Sequence, residues 1–93
     1  MGMDKMGRSV KDVLVRYGAV KIAIFGSEAR GEAGPDSDVD ILVEFDKKKK
    51  LSLFDLAAAQ SELEREIGRK VDLVTKVNKF VQAYIRNDLI QIL

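Results

Sequence analysis

The sequence contains no cysteine, no histidine and no tryptophan, and a single proline in 93 residues. Without cysteine there is no disulfide staple, no thiolate zinc site and no thiol nucleophile. Without histidine there is no serine–histidine–aspartate triad. Any metal must therefore be a hard cation held by oxygen, because carboxylates are the only strong ligands on offer. No apolar run is long enough for a membrane span, and the N-terminus lacks the apolar stretch of a signal peptide, so a cytoplasmic protein is the expectation. Neither sign of charge dominates, with 16 Lys plus Arg against 15 Asp plus Glu. No global field directs the chain to nucleic acid or membrane, although a local patch remains compatible with that balance.

What is present describes a folding sequence: 46% of residues are hydrophobic and 33% charged. The length fits one domain over 1–93 and leaves no room for two. A core this small gives marginal stability unless a partner or a second copy adds buried area. The apolar ending LIQIL (89–93) either closes the core or offers such a surface, so a homodimer or heterocomplex is in view.

Periodicity predicts the elements. Val10, Val13, Leu14 and Tyr17 recur at helical spacing over 4–17, and Gly18 stops that helix. VKIAIF (20–25) reads as a buried strand. Gly26-Ser27 breaks it, and 27–31 can form one turn capped by Ser27, followed by a loop rich in Gly, Pro and Asp. DVDILVEF (38–45) alternates, with Val39, Ile41, Val43 and Phe45 on the core side and Asp38, Asp40, Leu42 and Glu44 on the other. After the lysine run 47–50, Ser52 and Asp55 open a helix that Gly68 closes. KVDLVT (70–75) is a third strand, with Asp72 and Val74 on one side. A final helix is predicted from Asn78 onward, on Val81, Tyr84, Ile85, Leu89 and Ile92. The order implies an α+β fold of α/β-like character: a small mixed sheet of three or more strands with helices packed on it. The short link between the first two strands leaves parallel and mixed pairing both open.

Asp38 and Asp40 carry the chemistry. Residues two apart in a strand point the same way, with Cα atoms about 6.6 Å apart. Two carboxylates so held repel each other unless a cation lies between them. Asp72, on a strand one or two spacings away, completes a set suited to one or two Mg²⁺ ions with substrate phosphates. Gly26-Ser27 supplies the other half: glycine lets the backbone approach a ligand, and the N–H groups of a starting helical turn suit phosphate oxygens. Metal at one end of a polyphosphate and a backbone cradle at the other is what nucleotidyl transfer needs.

The stretch FGSEARGEAGPDSDVDILV (25–43) resembles the signature of the minimal nucleotidyltransferases, within the DNA-polymerase-β-like superfamily. That family's pattern is Gly-Ser, ten residues, then Asp-x-Asp, and Gly26-Ser27 with Asp38-Val39-Asp40 meets it without a gap. Ala29-Arg30-Gly31, Ser37-Asp38 and KVDLV (70–74) match further family features. The resemblance implies the polymerase-β-like fold, with Asp38 and Asp40 binding Mg²⁺ and the ATP triphosphate. It implies Asp72 as the third carboxylate, assisting an attacking hydroxyl, and Gly26, Ser27 and Arg30 at the phosphates. It also implies a HEPN-domain toxin as partner, silenced when AMP passes from ATP to one of its tyrosines. One departure is Glu28, where an uncharged or basic residue is commoner in the family.

Each signal has an ordinary reading. Asp-x-Asp alone is usually the wet face of an amphipathic strand, and Gly-Ser alone a turn. Arg30 reaches phosphate or pairs with Asp36 or Glu32. The lysine run is a solvated loop, or a contact for RNA or an acidic partner. Phe80, Tyr84 and Tyr17 read as core or interface aromatics. Two other functions compete with adenylyl transfer to a protein: a non-catalytic nucleotide- or toxin-binding module, and transfer to an RNA end. A lone small domain with nothing beyond the lysine loop to grip RNA argues against the last.

Overall fold

The computed structural model describes residues 3–26, 31, 34, 37–75 and 89–93. Helix α1 (Met3–Arg16) carries Asp4 in its first turn and Arg16 in its last, matching the helix dipole at both ends. Its buried residues Met6, Val10, Val13 and Leu14 form one stripe. Gly18, at φ 96°, turns the chain into strand β1 (Ala19–Phe25). Strand β2 (Val39–Phe45) runs back antiparallel to it, from Ala19 opposite Phe45 to Phe25 opposite Asp40.

Helix α2 (Leu53–Ile67) starts at a complete capping box. Ser52 Oγ accepts the Asp55 N–H at 3.2 Å, and Asp55 Oδ2 accepts the Ser52 N–H at 2.9 Å. It ends at Gly68, left-handed at φ 75°. Strand β3 (Val71–Val74) then pairs parallel with β2, as a connection long enough to contain a helix permits.

The thirteen residues between β1 and β2 (26–38) leave both pairings possible, and antiparallel pairing is what forms. The sheet is therefore mixed, in the order β3-β2-β1-β4, where β4 (Ile90–Gln91) pairs antiparallel with β1. Both helices cover one face, and the core lies between them and Ile22, Ile24, Val39, Ile41, Val43 and Val71 of the sheet.

Strand β4 corrects one expectation. The spacing predicts a helix through Leu89 and Ile92, yet Ile90–Gln91 is extended. Ile92 donates its N–H to the Ile22 carbonyl at 2.8 Å, and Ile22 donates its own to Leu93 at 3.2 Å. Without this segment β1 would be an edge strand with a row of unpaired N–H and C=O groups. Pairing that edge outweighs a helical period that the residues also satisfy. Ile92 and Leu93 pack against the core, and Ile92 approaches so closely that a Cβ on Gly7 would lie 3.1 Å from its Cδ1. Val81, Tyr84, Ile85 and Phe80, the other residues of that predicted helix region, lie outside the described residues.

Candidate active site

The acidic residues gather at one end of the sheet, where β1 ends and β2 and β3 begin. In the register, Asp40 stands opposite Phe25 on β1 and opposite Asp72 on β3. Neighbouring strands lie about 4.8 Å apart, so Asp72 is one spacing from Asp40, the nearer of the two expected placements. Asp40, Leu42, Asp72 and Val74 share the sheet face turned away from both helices, because Val39, Ile41 and Val71 fill the core side. Asp38, just before β2, and Asp72 are exposed, and Asp40 is half-buried.

Gly26 has two reasons to be glycine. Its φ is 75°, in the left-handed region, and a Cβ there would collide with the Asp40 carboxylate. The chain leaving β1 thus runs directly against the acid in the middle of the cluster. Ser27 and Arg30, the other two residues expected at the phosphates, lie outside the described residues, as does Glu28.

The backbone under the acids is held by side chains that sequence reasoning did not single out. Arg69 donates two hydrogen bonds to the Ser37 carbonyl, from Nη2 at 2.7 Å and Nε at 3.2 Å. This ties the residue before Asp38 to the loop before β3. Ser37 also closes its own turn, with its N–H on the Gly34 carbonyl at 3.1 Å and its Oγ accepting the Gly34 N–H at 3.0 Å. On the other side of β3, Glu64 accepts the Val71 N–H at 2.9 Å and Gln60 donates to the Val71 carbonyl at 2.8 Å. These two α2 residues lie one turn apart and satisfy both backbone groups next to Asp72. Nothing in the sequence marks them, since a polar residue on a helix is unremarkable until its strand partner is known.

Among the described residues, no three His, Cys, Asp or Glu side chains stand close enough to hold one ion together. The acids are nonetheless all-oxygen donors at facing positions of one sheet end, and the missing Cβ of Gly26 is what lets the Asp40 carboxylate sit against the chain leaving β1. That donor set suits a hard divalent cation, with side-chain rotation completing its shell. The lysine run lies beyond the other end of β2: Phe45, five residues from Asp40, is already roughly 17 Å along the strand, and Lys47 is two residues further. It contributes nothing to this site.

The nucleotidyltransferase-domain family model matches residues 8–92. The chain belongs to the minimal nucleotidyltransferases. A candidate protein adenylyltransferase of Methanocaldococcus jannaschii is 36% identical over 95 residues, covering all of both chains. A solved candidate minimal nucleotidyltransferase superimposes with a TM-score of 0.77 at 34% identity, over 97% of this chain and 95% of that one. A solved complex of a tri-AMPylated Shewanella oneidensis HEPN toxin with its MNT antitoxin matches in fold, with a TM-score of 0.71 at 17% identity over 95% of this chain and 69% of that one. The mixed sheet with two helices on one face, in the described residues, is thus the polymerase-β-like fold of this family. Among the described residues, no helix is long and apolar enough to cross a membrane.

Proposed function

We propose that this single domain is a Mg²⁺-dependent adenylyltransferase that moves AMP from ATP onto a tyrosine hydroxyl of a HEPN-type toxin, and so acts as its antitoxin in the cytoplasm. Asp40 and Asp72 facing each other on adjacent strands, with the Gly26 backbone against Asp40, carry this reading. The name of the M. jannaschii relative and the AMPylated toxin of the S. oneidensis complex support it.

In the reaction, the acceptor oxygen attacks the α-phosphorus of ATP, the bond to the bridging oxygen of the β-phosphate breaks, and pyrophosphate leaves. Asp72, exposed at the edge of the cluster, takes the acceptor's proton. Gly26, Ser27 and Arg30 are assigned to the triphosphate, the first two through backbone N–H donors and Arg30 through its charge. A divalent cation such as Mg²⁺, held by Asp38, Asp40 and Asp72, would supply charge neutralisation for the triphosphate. With no nucleophile of the enzyme required, positioning and charge account for the catalysis.

Labelled AMP transfer onto the HEPN-domain protein, scored by intact mass, tests this. The wild-type chain is expected to add one or more adenylyl groups. Asp40→Asn should lose about 100-fold or more of the rate with its fold intact. Full activity in that variant, or transfer that persists in excess chelator, would overturn the assignment of the site.

A further inference from the structure

At the end of the sheet opposite the acids, the structure displays side chains that serve neither the core nor the site. Leu53 and Phe54, the first two residues of α2, are 83% and 87% exposed. They stand on an ordered support, since the Ser52–Asp55 capping box fixes the turn that carries them. A phenylalanine so exposed gives up the burial that ordinarily makes this side chain favourable in a fold. Phe54 has no counterpart in the core and no role in the cap.

Immediately before this turn run Lys47, Lys48, Lys49 and Lys50, all exposed. The ion pairs among the described residues, Arg16–Glu62 and Lys21–Glu44, involve none of them. Their loop is shaped from within, by Lys48 N–H on Asp46 Oδ1 at 3.0 Å and Lys49 N–H on the Asp46 carbonyl at 2.9 Å. The Lys49 stem lies over Gly18. Asp38, Asp40 and Asp72 thus stand at one end of β2 and β3, and four consecutive lysines precede two exposed apolar residues beyond the other, with Asp46 and Asp55 engaged in the loop and the cap.

Building on the reading that the acceptor is a protein, we propose that Lys47–Lys50 with Leu53 and Phe54 form the surface on which this acceptor docks, through an acidic rim around an apolar pocket. Exposed aromatic side chains on a rigid support are the usual anchors of protein interfaces, and the lysines select an acidic counterpart and steer it. A second copy of the chain fits poorly. A two-fold dimer through this patch would set one lysine run against the other, like charge against like. Docking beyond the far end of β2 from the acids lets the partner be held while one of its hydroxyls reaches the α-phosphate.

The test is titration calorimetry of the full chain with the purified HEPN-domain protein at low and moderate salt, beside ATP titration of the same samples. Phe54→Ser and Leu53→Ser should each weaken partner binding tenfold or more. Replacing the four lysines by glutamine should weaken it and flatten its salt dependence. ATP affinity and thermal midpoint should stay unchanged, since none of these residues is buried or near the acids. Partner binding unchanged in Phe54→Ser overturns the proposal. So does a wild-type chain that ignores the partner but binds phosphatidylserine vesicles, or a light-scattering mass showing that Phe54 instead holds two copies together. Asp40→Asn should bind the partner as the wild type does while losing transfer, and binding through the patch without transfer even by the wild type would sink the enzymatic reading and leave the docking surface standing.

Discussion

Gly26 shows how much one residue can carry at this site. Its φ of 75° and the Asp40 carboxylate in the space of its missing Cβ make any side chain there doubly unfavourable. Gly26→Ala should cost about 1–3 kcal/mol in urea unfolding and should displace Asp40, so that transfer falls further than stability alone explains. Tyr17 lies at the other end of the molecule. Burial, and then its hydrogen bond to Glu62, hold its phenol protonated above the ordinary value of 10.0. The folded state therefore keeps that proton where the unfolded chain has lost it. The associated stability is complete below the unfolded value and is lost as pH rises through the folded one. Absorbance titration near 295 nm should show one of the two tyrosines ionising late. Tyr17→Phe should flatten the alkaline fall in stability.

Among the elements, β3 depends most on its neighbours. It has four residues, sits at the sheet edge and carries Asp72. Glu64 and Gln60 hold Val71 in place from α2, and Arg69 couples the entries of β2 and β3 through Ser37. Glu64→Ala strands the N–H of a buried residue and should cost about 1.5–3 kcal/mol. Glu64→Gln keeps an acceptor and should recover most of that. If the contact also positions Asp72, kcat should drop in Glu64→Ala and return in Glu64→Gln, while ATP affinity changes little. The capping box is a simpler case: Ser52→Ala should lower stability by about 1 kcal/mol without changing transfer by itself.

For the whole molecule, the four-stranded sheet depends on a strand of two residues. Deleting residues 89–93 would strip the outer edge of β1, leaving unpaired backbone groups beside Ala23 and Ile24. The shortened chain should show a lower thermal midpoint and larger species by light scattering. An unchanged monomer would show that β4 is dispensable.

The sequence by itself determined the elements whose pattern is local. Helices α1 and α2, their glycine stops, the Ser52–Asp55 cap and strands β1 to β3 were all legible, because amphipathic periods and caps involve residues within a few positions of one another. Asp38 and Asp40 could be chosen as a pair for the same reason, since spacing along one strand already aligns their carboxylates, and Gly26 because it breaks the apolar run of β1. Tertiary structure alone decided the rest. Only pairing places Asp72 beside Asp40, and only the empty edge of β1 turns the end of a helical pattern into β4. Arg69, Gln60 and Glu64 acquire a role only when a backbone group distant in sequence arrives opposite them. In each case the partner is set by long-range contact, and no local pattern encodes a residue's distance from one it meets only after folding.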